Sequence, residues 1–286
     1  MKPTIFASVL ANVLSVLAVL VVVGAISLYL YFAYKDNPCG DCAEAKRCKK
    51  SRKTQPKWVK EYHKCYAQSK RNIRNIFFDW NGTILDDVDL SYELLIELCR
   101  IYHVKEISME EYKKIFSFPV KTYYEKLGFD FNKINYQEVA RYFIGQYDSR
   151  WRKETKIFKG FKKTVRKLKK DGYKIYILTA SEENLLKSQL KKFHIDEYID
   201  GYTAANNIHA HGKIEYGKEY LKAKHLIPEK SILIGDTSYD NTVAKEIGMQ
   251  SMLISHGHND QETLEKTGAF VAKDFDEMYK KIKEIN

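Results

Sequence analysis

The chain has 286 residues, of which 44% are hydrophobic and 30% are charged, a composition typical of one sizeable domain or one domain with an insertion. The formal net charge is +11, but twelve basic and four acidic residues from Lys35 to Arg71 contribute +8 of it, and residues 72–286 carry only about +2. A nucleic-acid-binding function needs a basic face on the folded part, so we expect no nucleic-acid partner.

The chain begins with an apolar segment that is long enough to cross a membrane. No charged residue lies between Lys2 and Lys35, and about 20 apolar residues suffice to span a bilayer. A cleaved signal peptide is the alternative, but its apolar region is roughly 7–15 residues long and ends in small residues. This segment instead ends in the bulky aromatic stretch 29–34. The pattern therefore predicts a retained transmembrane helix within residues 1–35.

The linker, residues 36–72, sets the predicted orientation. A cluster of Lys and Arg between Lys46 and Lys53 follows the apolar segment, whereas only Lys2 and the amino terminus precede it. Cytoplasmic flanks of membrane spans are enriched in positive charge, so we expect a single-pass protein with its C-terminal part in the cytoplasm. The basic cluster either sets this orientation alone or also contacts anionic lipid headgroups.

Cysteines are concentrated in the linker. The five cysteines are Cys39, Cys42, Cys48, Cys65 and Cys99. Structural disulfides are not expected in a reducing cytoplasm, but a thiolate cluster with His63 as a substitute ligand could hold zinc or iron. The spacing is loose and lacks a second Cys-x2-Cys pair, so linker-based metal binding is an alternative function rather than the leading one. Cys99 lies on an apolar helix face and is predicted to be core.

From residue 73 onward, the hydrophobic pattern predicts first a strand and then a block of helices. The apolar run Ile73–Phe78 reads as a buried strand that ends at a carboxylate. Helical periodicity then dominates, over Leu90–His103 and Glu138–Trp151, with a capping-box pattern at Ser108 between them. The block is predicted to be a helical insertion after the first strand.

Strands and helices alternate again after this block. Strands are predicted at Lys174–Ala180, Tyr198–Thr203, Ser231–Gly235, Met252–Ser255 and Phe270–Ala272, and helices at Glu182–Phe193, Lys213–Lys224 and Asn241–Ile247. Alternation at this spacing favours a parallel sheet with helices on both faces.

Polar residues recur where these strands end or these helices begin. They are Asp79 with Asn81, then Thr179, then Lys213, then Asp236 with Asp240. A parallel sheet brings such positions into one crevice at the carboxyl ends of its strands. Carboxylate and carbonyl oxygens suit Mg²⁺, a lysine and a hydroxyl suit a phosphate, and a carboxylate beside both can act as a nucleophile.

The chain from about residue 73 resembles the haloacid dehalogenase-like hydrolase superfamily, in its phosphoglycolate-phosphatase-like group. Four motifs carry the resemblance: Asp79-Trp80-Asn81-Gly82-Thr83, Leu178-Thr179-Ala180-Ser181, Lys213, and Gly235-Asp236-Thr237-Ser238-Tyr239-Asp240. The resemblance implies a Rossmann-like α/β core of residues 73–85 and 158–286, with an inserted helical cap of residues 86–157. The transmembrane helix and the linker precede the part that resembles the family.

The resemblance also implies the chemistry of each residue. Asp79 would attack the phosphorus of a small phosphorylated metabolite, and Lys213 would neutralise charge on the nucleophile and the phosphate. Phosphoryl oxygens would be held by Gly82, Thr179, Ala180 and Lys213, and Mg²⁺ by Asp79, the backbone carbonyl of Asn81, Asp236 and Asp240. Asp240 would complete the metal shell or orient Lys213.

Asn81 departs from the family pattern, in which this position is usually an aspartate that acts as general acid and base. An amide cannot protonate a leaving alkoxide or activate water, and loss of that role costs roughly 10²–10⁴-fold in rate. Three interpretations stay open. The substrate has a good leaving group, another residue supplies the proton, or the protein is a weak or inactive enzyme that binds phosphate or a partner.

Other residues are secondary candidates. His209, His211, His256 and His258 lie in segments that could border the crevice, and Tyr123 and Tyr124 of the predicted cap are candidates for shaping substrate choice. Trp80 is expected to pack rather than to take part in chemistry, and the Lys-rich run Lys162–Lys170 is expected to be a solvated helix face.

Overall fold

The computed structural model describes residues 73–205 and 212–286. The predicted transmembrane helix, the cysteine-containing linker, His209 and His211 lie outside the described residues. In the part that is described, no helix is both long and apolar enough to cross a bilayer. Membrane anchoring and linker metal binding therefore stay predictions.

The described residues form alternating strands and helices. In chain order the elements are β1 (Asn75–Phe78), β2 (Leu85–Asp86), α1 (Val88–Ile101), α2 (Met109–Ile115), α3 (Val120–Leu127), α4 (Tyr136–Glu154), β3 (Lys156–Ile157), α5 (Phe161–Lys170), β4 (Lys174–Glu182), α6 (Glu183–Phe193), β5 (Gly201–Ala205), α7 (Lys213–Ala223), β6 (Ser231–Gly235), α8 (Ser238–Ile247), β7 (Gln250–Ile254), α9 (Gln261–Glu265), β8 (Phe270–Ala272) and α10 (Phe275–Ile285).

Six of the strands form one parallel sheet in the order β5-β4-β1-β6-β7-β8. The first strand in sequence, β1, is thus central, and it pairs with β4 on one side and β6 on the other. Strand order reverses direction on the two sides of β1, which creates a crevice at the carboxyl ends of these three strands. The predicted α/β fold with a Rossmann-like parallel sheet is confirmed.

Strand β1 is continuously apolar because both of its faces are covered by helices. Ile76 and Phe78 belong to an apolar cluster with residues of α5, α6 and α10. Phe77, which points to the opposite face, packs in a second cluster with residues of α7 and α8. A strand that is buried on both faces loses the alternation of apolar and polar residues, which explains the run that ends at Asp79.

The helical insertion, defined as α1–α4, lies between β2 and β3 in the chain. These two short strands pair antiparallel through Leu85 with Ile157 and Asp86 with Lys156. The insertion has an apolar cluster of its own, in which Cys99 is buried as predicted. The capping box at the start of α2 is also confirmed. Boundaries between a core and a cap domain stay a prediction.

Most element boundaries differ from the predictions by one to three residues, and three of the differences have identifiable local reasons. The strand predicted from Tyr198 begins at Gly201, because residues 196–198 form a 3₁₀ turn in which the Tyr198 N–H donates to the Ile195 carbonyl. Strand β4 continues to Glu182, past a register shift after Leu178. Helix α6 begins one residue later than expected, because the Glu182 side chain caps it by accepting hydrogen bonds from two backbone N–H groups.

Candidate active site

The polar residues that were predicted to meet at the carboxyl ends of the strands do lie together there. Asp79 directly follows β1, and its backbone N–H donates to the carbonyl of Ile234 in the neighbouring strand at 2.8 Å. Asp236 directly follows β6, and Thr179 lies near the end of β4. The three positions therefore lie side by side at the carboxyl ends of β4, β1 and β6.

Lys213 connects two of the carboxylates. It begins α7 and is 4% exposed, and its Nζ lies 2.6 Å from Asp79 Oδ1 and 2.6 Å from Asp240 Oδ1. Burial alone lowers the pKa of a lysine, but Asp240 and Asp79 hold the pKa of Lys213 above its usual value. The other oxygen of Asp240 accepts hydrogen bonds from Thr237, from N–H at 3.0 Å and from Oγ1 at 2.6 Å. Asp240 thus fixes Lys213 in place.

Three carboxylates form a cluster that fits a hard cation. Asp79, Asp236 and Asp240 each offer one oxygen, and these oxygens all lie within 4.8 Å of one another. Burial, together with the neighbouring carboxylates, raises the pKa of Asp79 to about 7 against the opposing charge of Lys213. Burial and the charge of Asp240 likewise raise the pKa of Asp236 to about 6, against the opposing effect of His258. Like charges gathered in a buried site are stabilised by a cation, and an all-oxygen donor set is the one that Mg²⁺ prefers.

The loop after β1 fits closely around Asp236. Thr83 Oγ1 donates to Asp236 Oδ1 at 2.7 Å, and the backbone N–H of His258 donates to Oδ2 at 2.7 Å. Gly82 has a φ of +69°, and a Cβ at this position would lie 2.2 Å from Asp236 Oδ2. Only glycine allows the loop to turn here and approach the carboxylate so closely.

Ser181, to which the sequence analysis assigned no role, connects Thr179 with Asn81. The Ser181 N–H donates to Thr179 Oγ1 at 3.1 Å, and the Ser181 hydroxyl donates to Asn81 Oδ1 at 2.5 Å. The pairing register of β4 with β5 shifts between Leu178 and Glu182, so residues 179–181 form an irregular segment of β4. Ala180, within this segment, is exposed.

Two buried residues that sequence reasoning missed complete the surroundings of Asn81. The side-chain amide of Asn81 donates one hydrogen bond to each of them. Its Nδ2 lies 2.6 Å from Asp87 Oδ2 and 2.9 Å from Tyr147 OH. The Asp86–Asp87 pair was the available signal, but acidic residues before a helix are common. His258 was a candidate, and it lies 3.5 Å from Asp87 Oδ1.

The remaining candidates pack rather than face the carboxylates. Trp80 is buried, as expected, and its Nε1 donates to Gln189 Oε1 at 2.7 Å. Tyr123 and Tyr124 are buried in the apolar cluster of the insertion. His256 stacks on Phe158 with ring centroids 3.8 Å apart.

Comparisons with known proteins identify relatives of this chain. The family model described as haloacid dehalogenase-like hydrolase matches residues 76–254. A protein of Caldanaerobacter subterraneus, provisionally named pyrophosphatase PpaX, is 27% identical over 185 residues, which are 64% of this chain and 81% of the relative. The glyceraldehyde 3-phosphate phosphatase of Pyrococcus furiosus is 25% identical over 216 residues, 65% of this chain and 82% of the relative.

A solved structure of a predicted phosphatase from Clostridium acetobutylicum is similar to this chain, with a TM-score of 0.65 and 21% sequence identity. The match includes 74% of this chain and 99% of the solved chain. At that identity the likeness supports the fold. The family model, by contrast, spans more than half of the chain and includes all four sequence motifs. The protein therefore belongs to the haloacid dehalogenase-like hydrolase family, in its phosphatase group.

Proposed function

We propose that this protein is a Mg²⁺-dependent phosphatase that hydrolyses a small phosphomonoester through an aspartyl-phosphate on Asp79. The observation that carries the proposal is the contact of Lys213 with both Asp79 and Asp240 beside a third carboxylate, Asp236. Phosphoryl transfer requires a nucleophile, a fixed positive side chain and a site for a hard metal ion close together. All three lie at the carboxyl ends of the central strands.

In the proposed reaction, the Asp79 carboxylate attacks the phosphorus, forms a new P–O bond and displaces the leaving group. Water then attacks the phosphorus, releases phosphate and restores the carboxylate. Lys213 offsets the negative charge on Asp79 and on the transferred group, and residues 179–181 of β4 would hold phosphoryl oxygens. Asp79, Asp236, Asp240 and the Asn81 carbonyl would hold Mg²⁺, which supplies positive charge where phosphate oxygens gather.

Asn81 favours substrates whose leaving group needs no proton. Its amide cannot donate a proton in the reaction, so an alkoxide would have to depart without help at this position. The phosphate that leaves from a phosphoanhydride is a much better leaving group. Relatives named as pyrophosphatases, including one from Bacillus cereus that is 22% identical over 187 residues, make inorganic pyrophosphate a necessary member of any substrate panel.

A second candidate is a phosphate- or partner-binding protein with little turnover. The same amide favours it, because loss of acid and base catalysis alone costs roughly 10²–10⁴-fold. The fixed pair of Lys213 and Asp79 disfavours it, since binding a phosphate needs the lysine but not a nucleophile opposite it.

The test is phosphate release by the purified full-length chain with p-nitrophenyl phosphate, glyceraldehyde 3-phosphate and pyrophosphate, with Mg²⁺ and with a chelator. Asp79→Asn should abolish Mg²⁺-dependent release. Asp86→Asn is the matched control, because this carboxylate lies nearby but pairs with surface Lys156 at 3.4 Å. Turnover that survives Asp79→Asn would refute the aspartyl-phosphate, and absent turnover with retained phosphate binding would favour the second candidate.

Anchoring of the enzyme to a membrane through residues 1–35 is a further part of the proposal. Its support is the uncharged segment between Lys2 and Lys35. The full chain should stay in the membrane fraction after alkaline carbonate washing, whereas a chain that begins at residue 36 should not. Metal analysis of the linker with and without Cys39, Cys42 and Cys48 tests the alternative that the linker binds a metal, and a metal content independent of these thiols would exclude it.

A further inference from the structure

A buried carboxylate with no role in the proposed reaction lies next to the active site. Asp87 follows β2, where the chain enters the helical insertion, and it is 2% exposed. Its Oδ1 accepts the Gly82 N–H at 2.9 Å and lies 3.5 Å from His258 Nε2, and its Oδ2 accepts the Tyr147 hydroxyl at 2.8 Å and the Asn81 amide at 2.6 Å. A buried carboxylate persists only with such a shell of donors.

These contacts determine which way the Asn81 amide points. Its two N–H donors are directed to Asp87 Oδ2 and Tyr147 OH, both of which can accept. Its carbonyl oxygen is therefore turned the other way, where it accepts the hydroxyl of Ser181 at 2.5 Å. The reversed amide would place its oxygen against the Asp87 carboxylate, an unfavourable arrangement of two acceptors.

The hydrogen bonds continue from Asn81 into segment 179–181 of β4, which is proposed to hold phosphate. Ser181, which Asn81 holds, accepts from Thr179 Oγ1 at 3.1 Å and donates its own N–H to that oxygen at 3.1 Å. Asp87 is thus connected to Thr179 through two intermediate side chains. The chain of bonds runs from the entrance of the insertion to the end of β4.

The insertion itself contributes to this arrangement. Tyr147 is on α4, and Tyr112 of α2 lies with its hydroxyl 2.8 Å from Nδ1 of His258, whose other ring nitrogen faces Asp87. Both tyrosines are buried. The donors that surround Asp87 therefore come partly from the sheet loops and partly from the insertion.

We infer that Asp87 is a positioning residue of the active site, matched to Asn81. It orients the Asn81 amide and, through Ser181, the irregular segment 179–181 of β4 that contains Thr179. The inference rests on the proposed phosphatase function for its kinetic test. An aspartate at position 81 would put a second carboxylate 2.6 Å from Asp87, so the amide at 81 and the acid at 87 require each other.

The experiment is a reciprocal exchange in the full-length chain: Asn81→Asp, Asp87→Asn and the double variant, with Asp86→Asn as the matched control. The kcat and KM for p-nitrophenyl phosphate and pyrophosphate are measured with Mg²⁺. Each single change should lower kcat by about 10²-fold, because it misplaces residues 179–181. The double variant should recover at least tenfold over the poorer single variant, and the control should stay within about twofold of the wild type.

A merely structural role for Asp87 predicts a different result, in which the losses of the two single variants multiply in the double variant. An Asn81→Asp variant that is more active than the wild type would also overturn the inference. If the wild type hydrolyses neither probe, melting temperatures give an independent answer. They are measured with and without inorganic phosphate for the wild type, the two single variants and the double variant. The phosphate-induced rise should vanish in both single variants and return in the double variant, and its persistence in Asp87→Asn would refute the positioning role.

Discussion

Replacing Lys213 with methionine tests how much of the stability of this domain depends on one buried cation. The Nζ atom lies 2.6 Å from an oxygen of Asp79 and 2.6 Å from an oxygen of Asp240. At an effective dielectric constant of about 20, each contact is worth about 6 kcal/mol before desolvation is subtracted. Methionine keeps most of the apolar stem but leaves two buried carboxylates without their partner, a change that typically costs about 3–5 kcal/mol.

We therefore expect Lys213→Met to lower the free energy of unfolding by about 3–5 kcal/mol, measured by urea denaturation at pH 8. For a domain of this size that corresponds to a fall in melting temperature of roughly 10 °C. Lys218→Met is the control, because Lys218 is an exposed lysine on the same helix, α7, and its replacement should stay within about 0.5 kcal/mol. Equal effects of the two substitutions would show that the buried pairs do not stabilise the fold.

Three further outcomes are expected. Gly82→Ala should lower the free energy of unfolding by about 2–4 kcal/mol, because the new Cβ would lie 2.2 Å from Asp236 Oδ2 in a backbone with φ of +69°. Gly145→Ala is the control: this glycine has open space around it in α4, so the change should raise the free energy of unfolding by about 1 kcal/mol in the same denaturation assay. Burial lowers the pKa of His256 to about 4, so the unfolded chain binds a proton at a higher pH than the folded chain does. The free energy of unfolding should therefore fall between pH 6.5 and 4 by about 2–3 kcal/mol more in the wild type than in His256→Gln. Parallel plots of unfolding free energy against pH for the two proteins would contradict this. Chelation should abolish phosphate release and added Mg²⁺ should restore it, and release that persists in the chelator would contradict the metal requirement.

Hydrophobic pattern was sufficient to predict the sheet and the residues that directly follow its strands. The run that ends at Asp79 and the run that ends at Asp236 are buried on both faces, so their apolar stretches are long and their ends are sharp. Thr179 follows from the same reasoning. Where a strand is only half-buried, as β5 is at each of its positions, its start at Gly201 was missed by three residues.

The residues around Asn81 could not be predicted, because they come together only through contacts between segments that are distant in sequence. Asp87 looks like any acidic residue at a helix start, and its burial depends on Tyr147, which lies 60 residues later on α4. Ser181 stands inside a recognised motif, but its contact with Asn81 spans 100 residues. Sequence spacing carries no information about contacts of this range unless a regular element fixes them.

The central position of β1 has a consequence for how the chain reaches its native state. Its neighbours are distant in sequence: Asn75 pairs with Lys174 on one side and bonds to Ser231 on the other, a separation of 156 residues. During synthesis, β1 therefore has no partner on one side until the insertion and β4 have been made, and none on the other side until β6 has been made. Folding dominated by such distant contacts is slow and exposes strand edges, so the protein is expected to need protection from aggregation until β6 has left the ribosome.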